Sequence, residues 1–169
     1  MPSVTPFLWF DNQAEEAAKY YVSIFSSAGK KDSKITNTTY YTADAANASG
    51  RPEGSVLTVV FRLDGQDFTA INGGPAFKFT EAVSFVVSCE TQKEIDTFWD
   101  KLSMGGDPAA QQCGWLKDRY GLSWQIVPRN IEKLLSDKNR EKAARVMKAV
   151  LGMKKINMDE LEEVYEEQS

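Results

Sequence analysis

Apolar residues fall in the same pattern twice along this chain, each time as a short strand-like run followed by a helical stripe. The first copy is Phe7-Leu8-Trp9-Phe10, then Ala17, Tyr20, Tyr21 and Ile24; the second is Phe85-Val86-Val87, then Ile95, Phe98, Trp99 and Leu102. In both, the later positions sit at i, i+3, i+4 and i+7, which puts them on one helix face that can bury against a sheet. Asn12 with Glu15, and Thr91 with Glu94, open the two helices at the spacing of a capping box. Between the copies, strands are expected over 34–42, 55–63 and 67–72, with Asp64-Gly65 as a hairpin turn and Gly73-Gly74-Pro75 as the break that ends the first half. Residues 43–54, rich in small side chains with Gly50, Pro52 and Gly54, read as a mobile loop.

The second half repeats the order: strand 82–88, helix 92–103 closed by Gly105-Gly106, short strands 110–113 and 115–118, a turn at 119–121, and strand 122–127 before Pro128. Each half therefore reads βαβββ. Beyond them lie a short helical turn at 131–135, a helix over 138–151 with Val146, Met147, Val150 and Leu151 inward, and an acidic helix over 158–167; Asp137 and Asn157 are the expected N-caps of the last two. The fold class is α+β, paired βαβββ modules with a C-terminal helical tail. It forms a single domain over 1–169, with module one at 1–75, module two at 80–129 and the tail at 130–169. Strand alternation turns Leu8 and Phe10 to the helices and leaves Phe7 and Trp9 for a cleft between the modules.

Charge and composition remove several function classes. A formal net charge of -4 and a pI near 5.0 give no footprint for nucleic acid. The basic residues Lys138, Arg140, Lys142, Arg145 and Lys148 alternate with Glu141 and apolar positions, the pattern of a solvated helix face. No apolar stretch approaches the roughly 20 residues of a membrane helix, and no leader-like segment opens the chain, so no membrane partner is expected and the location is read as cytoplasmic. The two cysteines, Cys89 and Cys113, form no CxxC pair and read as thiols. Histidine is absent, which excludes Ser-His-Asp and Cys-His chemistry and removes the commonest transition-metal ligand.

Particular runs carry a resemblance. They are Pro6-Phe7-Leu8-Trp9-Phe10-Asp11 with Ala14-Glu15-Glu16-Ala17, Asn72-Gly73-Gly74-Pro75-Ala76-Phe77-Lys78-Phe79, and Gln111-Gln112-Cys113-Gly114-Trp115-Leu116-Lys117-Asp118 running on to Gly121 through Pro128. With Arg145-Val146-Met147 and Met153-Lys154-Lys155-Ile156, they resemble the PhnB-like, 3-demethylubiquinone 3-methyltransferase-like group of the vicinal oxygen chelate superfamily. That superfamily includes glyoxalases, bleomycin-resistance proteins and extradiol dioxygenases. In its metal-dependent members, ligands come from the first and last strands of each module, commonly His or Gln on the first and Glu on the last. The resemblance places those positions near Thr5, at Asn72 or Ala70, near Ser84, and at Gln125, the last through the turn Asp118-Arg119-Tyr120-Gly121. One neutral amide with hydroxyls supplies neither the charge nor the ligand count of a metal site, so no metal and no cofactor are expected. The glycine-rich strand-to-helix turn that a doubly wound nucleotide-binding sheet needs does not follow Phe7–Phe10, so S-adenosylmethionine is not expected to bind.

The candidate ligand-binding residues are Trp9, Asn72, Ser84, Trp115, Trp124 and Gln125, polar or indole side chains on strands beside a closed cavity; each also has a purely structural reading as core or internally paired. Two functions remain. One is a metal-free protein, expected to be a homodimer, that holds a small organic molecule. The other is an enzyme of the same superfamily using Asp67, Asp118 or Glu81 as acid or base. A third possibility is an interaction module that works through its acidic tail.

Overall fold

The computed structural model describes residues 2–167 and divides into one unit up to Phe79 and another from Thr80 onward, each with its own sheet. The first unit runs β1 (Phe7–Phe10), α1 (Ala14–Ser27), β2 (Lys34–Tyr40), α2 (Ala43–Ser49), β3 (Val56–Leu63) and β4 (Gln66–Asn72). Its sheet has the order β1-β4-β3-β2, with β1 parallel to β4 and the other pairs antiparallel. One face is buried: Leu8, Phe10, Val59, Phe61, Phe68 and Ala70 lie under the stripe of α1, where Ala14, Ala17 and Ala18 allow close approach. Tyr21, fully buried, stacks on Phe61 at 6.2 Å between ring centroids, and Phe61 stacks on Phe68 at 5.3 Å. Each such aromatic contributes about 1.5–3 kcal/mol of transfer free energy.

Two local expectations in this unit are corrected. Asn12 does not cap α1; Gln13 occupies the cap position, with φ -105° and ψ 14°, and gives no side-chain cap bond. The first helical amide, Ala14 N, donates instead to Asn72 Oδ1 at 2.8 Å, because β4 ends beside β1 with Asn72 in register with Phe10. The expected loop at 43–54 contains α2. Its four alanines favour helix over the signals of the neighbouring Gly and Pro, and Thr42 Oγ1 caps it by accepting from Ala45 N at 3.3 Å.

The second unit runs β5 (Ser84–Cys89), α3 (Gln92–Ser103), a single 3₁₀ turn at Pro108–Ala110, β6 (Trp115–Lys117), β7 (Ser123–Pro128), α4 (Ile131–Leu135), α5 (Arg140–Gly152) and α6 (Met158–Glu166). Its sheet order is β5-β7-β6, with β5 parallel to β7. Thr91 caps α3 through Glu94 N as expected, while Glu94 reaches back one residue further, to Glu90 N at 2.7 Å. Ile95, Phe98, Trp99 and Leu102 are buried as the stripe requires.

The strand expected at 110–113 is absent. Cys113 (φ 54°) and Gly114 (φ 82°) are both left-handed, and Gln112 and Trp115 exchange backbone bonds of 3.1 and 2.8 Å across them, a tight mirror-type turn. The outward amides of that turn are taken by the tail: Cys113 N donates to Met153 O, and Gly114 N to Lys154 O, both at 2.8 Å. Asn139 caps α5, accepting from Glu141 N and Lys142 N, because Asp137 is engaged by Asn139 N and the Tyr165 hydroxyl. Asn157 caps α6 as expected. On α5, Val146 and Val150 are buried but Met147 and Leu151 are 43% and 59% exposed, since the covered stripe is narrower than the apolar one.

Gln92, at the start of α3, fastens the tail at two points. Its Nε2 donates to Ile156 O at 3.0 Å and its Oε1 accepts from Met158 N at 2.8 Å. Beside it, Lys155 Nζ lies 2.9 Å from Asp96 Oδ1. That bond, followed by one from Gln92, holds the Asp96 carboxyl below the usual carboxylate range, while the bond from Asp96 raises Lys155. A lowered carboxyl stabilises the fold above its unfolded pKa and loses that contribution as pH falls through the folded value. Lys155→Met is therefore expected to cost about 0.5–1 kcal/mol at neutral pH, as for a half-exposed pair, and to flatten the loss of stability below about pH 4. Urea midpoints at pH 7 and pH 3 check this; an equal deficit at both would deny the pair its role.

Candidate functional site

In each sheet, the strand side turned away from the helices is open. On the first sheet that side carries Phe7, 61% exposed, and half-buried Trp9, which pair in register with Thr69 and Ile71 of β4. Trp9 is held from three directions. Its Nε1 donates to Gly74 O at 2.9 Å, Phe77 stands edge-on at 5.0 Å and 80°, and the backbone of Gly73 lies so close that a Cβ there would come within 2.2 Å of the indole. The Asn-Gly-Gly-Pro run is thus the seat of an indole whose polar edge is already satisfied. At the far end of the same face Arg62 forks onto Asp67, Nε to Oδ1 at 2.6 Å and Nη2 to Oδ2 at 3.1 Å, and the bond from Arg62 pulls the Asp67 carboxyl down. In the same cross-strand row as Trp9, beyond Ile71, the Thr39 and Thr58 hydroxyls meet at 2.5 Å.

On the second sheet, Gln125 of β7 sits beside Trp115 of β6 and Val86 of β5, and its Nε2 donates to Ser84 Oγ at 3.0 Å. That direction leaves the Ser84 proton and the Gln125 carbonyl free to meet a ligand. On the same side, two residues before Gln125, Ser123 is 1% exposed and its hydroxyl has no partner. Lys117 pairs with Glu81, whose bond from the lysine holds the carboxyl low.

The structure thus brings Ser84, Trp115 and Gln125 together, and puts Trp9 on the open side of its own sheet. Asn72 and Trp124 face the other way. Asn72 is buried, its Oδ1 capping α1 and its Nδ2 donating to Val56 O at 3.2 Å. Trp124, 2% exposed, donates from Nε1 to Asp118 Oδ2 at 2.9 Å within the core. Ala70 shares the helix side with Asn72 and is fully buried, so neither matches the open-face position that a last-strand ligand needs; Thr69 and Ile71 hold it. The last two, with Phe77 and Ser123, were missed in the sequence, although the alternation of β4 places Thr69 and Ile71 on that side. Asp118 accepts from Tyr120 N, Leu122 N and Trp124 Nε1, a structural use of both oxygens. Asp67 and Glu81, ion-paired and lowered, are kept as carboxylates far below the neutral range suited to proton transfer.

The sequence model of the 3-demethylubiquinone-9 3-methyltransferase family matches residues 2–127 of this chain. The chain belongs to that family. Among solved structures, the PhnB protein from Bacillus cereus is 36% identical, with a TM-score of 0.60, over 75% of this chain and 99% of its own. Protein PA1353 from Pseudomonas aeruginosa is 15% identical, with a TM-score of 0.56 over 76% and 98%, a likeness of fold alone. A glyoxylase/bleomycin resistance protein/dioxygenase domain from Frankia is 14% identical, with a TM-score of 0.44 over 76% and 93%. No curated protein matches the chain. The matched residues end at Val127, so the likeness read in Arg145-Val146-Met147 and Met153 to Ile156 lies outside them.

The family's description implies a methyl donor, and the residues do not fit S-adenosylmethionine as a doubly wound sheet would hold it. Each sheet has a single parallel pair, the β1–α1 connection Asp11-Asn12-Gln13 has no glycine, and the first amide of α1 is already bonded to Asn72. Nor do they fit a metal. Among the described residues no group of three His, Cys, Asp or Glu side chains is placed to hold an ion, and Ser84 and Gln125 are neutral and bonded to each other. No helix among the described residues is long and apolar enough to cross a membrane.

Proposed function

We infer that this protein binds a small, partly aromatic organic molecule through hydroxyl, amide and indole groups, without a resident metal and as a homodimer in the cytoplasm. The observation that carries this is the Gln125–Ser84 pair beside Trp115 on an open sheet face. It offers one free carbonyl acceptor and one free hydroxyl donor against an aromatic wall, the composition of a site that orients an organic ligand. The paired and lowered carboxylates Asp67 and Glu81 favour binding over acid–base turnover.

Ligand-observed NMR against an aromatic fragment library, with elemental analysis of the same protein, tests the reading. Substoichiometric metal is expected, together with fragment affinities that fall about tenfold in Gln125→Leu, the worth of one hydrogen bond in a ligand site. S-adenosylmethionine is expected to give no saturable calorimetric signal. Stoichiometric Mn, Fe, Zn or Ni, or micromolar binding of S-adenosylmethionine, would sink it. Sedimentation at micromolar concentration checks the dimer.

A further inference from the structure

Arg51, which follows α2 in the first unit, is a charged group short of acceptors. Its Nε is shut from solvent with no partner, and its pairing with Asp11 is long, Nη1 to Oδ1 at 3.5 Å. A guanidinium carries five donors; the Nε–H is out of reach of any water-sized group, so a ligand beside Arg51 would meet its Nη1 and Nη2 end, where the only bond among the described residues is the long one to Asp11. Arg51 borders a cavity of about 230 Å³ whose walls include Asn12, Glu15, Ser55 and Asn72, all in the first unit. At roughly 30 Å³ for each water-sized group, that space takes about eight non-hydrogen atoms.

The charges around the cavity narrow the ligand. A dianion would meet the carboxylates of Glu15 and, beside Arg51, Asp11. A single carboxylate matches the fork of Arg51 in two parallel bonds and displaces the weak contact to Asp11. Glu15 spends one oxygen on exposed Lys19, at 2.7 Å, leaving the other for a cation. Ser55 Oγ donates to Pro52 O and the Asn72 amide is committed to α1 and β3, so neither competes for the ligand's charges. We propose that this cavity binds a small zwitterion of the α-amino acid class, its carboxylate on Arg51 and its ammonium toward Glu15. The site shares no residue with the open faces of the two sheets and stands whether or not those faces bind a ligand.

The test is titration of the ¹⁵N-labelled full chain with L-valine and L-threonine, and separately with acetate and inorganic phosphate. Saturable shifts at the amides of Asn12, Arg51 and Ser55 are expected with both amino acids. The affinity should fall about tenfold in Arg51→Gln, and in Glu15→Gln it should fall for the amino acids while acetate binding holds or tightens. If Arg51→Gln does not fold, Arg51→Lys, which keeps the charge without the fork, is expected to weaken binding several-fold. An absence of saturable shifts, shifts unaffected by either Arg51 variant, or phosphate binding more tightly than both amino acids would overturn the proposal.

Discussion

Asp118→Ala is expected to destabilise the second unit by about 3–5 kcal/mol, since a buried donor left unmet costs about 1–3 kcal/mol, and two buried donors and one half-buried donor lose their acceptor together with incomplete additivity. The carboxylate is 2% exposed and accepts from Tyr120 N at 2.8 Å, Leu122 N at 3.1 Å and Trp124 Nε1 at 2.9 Å. Two of these bonds shape the β6–β7 turn, and the third fixes the largest fully buried side chain among the described residues. Without the acceptor, Trp124 must keep an unpaired indole N–H in the core or leave it. Asp118→Asn keeps the shape but turns an NH₂ group toward at least one donor, and should fall between the two. Denaturant unfolding followed by tryptophan fluorescence measures both; a loss under about 1 kcal/mol for the alanine variant would show that water replaces the carboxylate at no great cost.

Gly73→Ala is expected to cost about 2–3 kcal/mol and to drive the Trp9 indole from its seat on the first sheet. The added methyl carbon would stand 2.2–2.4 Å from three atoms of the Trp9 ring. A flexible chain would swing aside, but this ring is pinned by its bond to Gly74 O and by the edge of Phe77, so moving it breaks both contacts. If the clash is the cause, Trp9→Ala and Gly73→Ala will be strongly non-additive, the double variant being little worse than Trp9→Ala alone. Additive losses would place the effect in the backbone instead.

The two helical stripes and the hairpin at Asp64-Gly65 were legible in the sequence because their signals lie within a few residues. The features that were not legible depend on distant partners or on competing local signals. Asn72 looked like a ligand residue because the amide it caps lies on α1, far away in sequence. The four alanines of α2 were hidden by the Gly and Pro beside them. The turn at Cys113-Gly114 was unreadable because a cysteine rarely takes positive φ; carbonyls of the tail help hold it there. Met147 and Leu151 belong to an apolar stripe whose covered width is set by α4 and α6, the helices packed on α5, not by α5 itself. For the site, the sequence reading set Trp9, Asn72, Ser84, Trp115, Trp124 and Gln125 together, and the strand register puts Ser84, Trp115 and Gln125 on one side of the second sheet. Strand alternation separates Trp124 from Gln125, since adjacent strand residues point to opposite faces.

The bond from Ala14 N to Asn72 Oδ1 ties the start of a helix to the end of the last strand of its unit. A nascent chain that has not yet produced residue 72 holds α1 with its first turn uncapped, so the helix gains its end only when the sheet closes. In the finished protein, fraying of that turn and loss of the end of β4 become one event. Hydrogen exchange at Ala14 should then report the opening of a strand, and slow together with the amides of β4 when the sheet is stabilised.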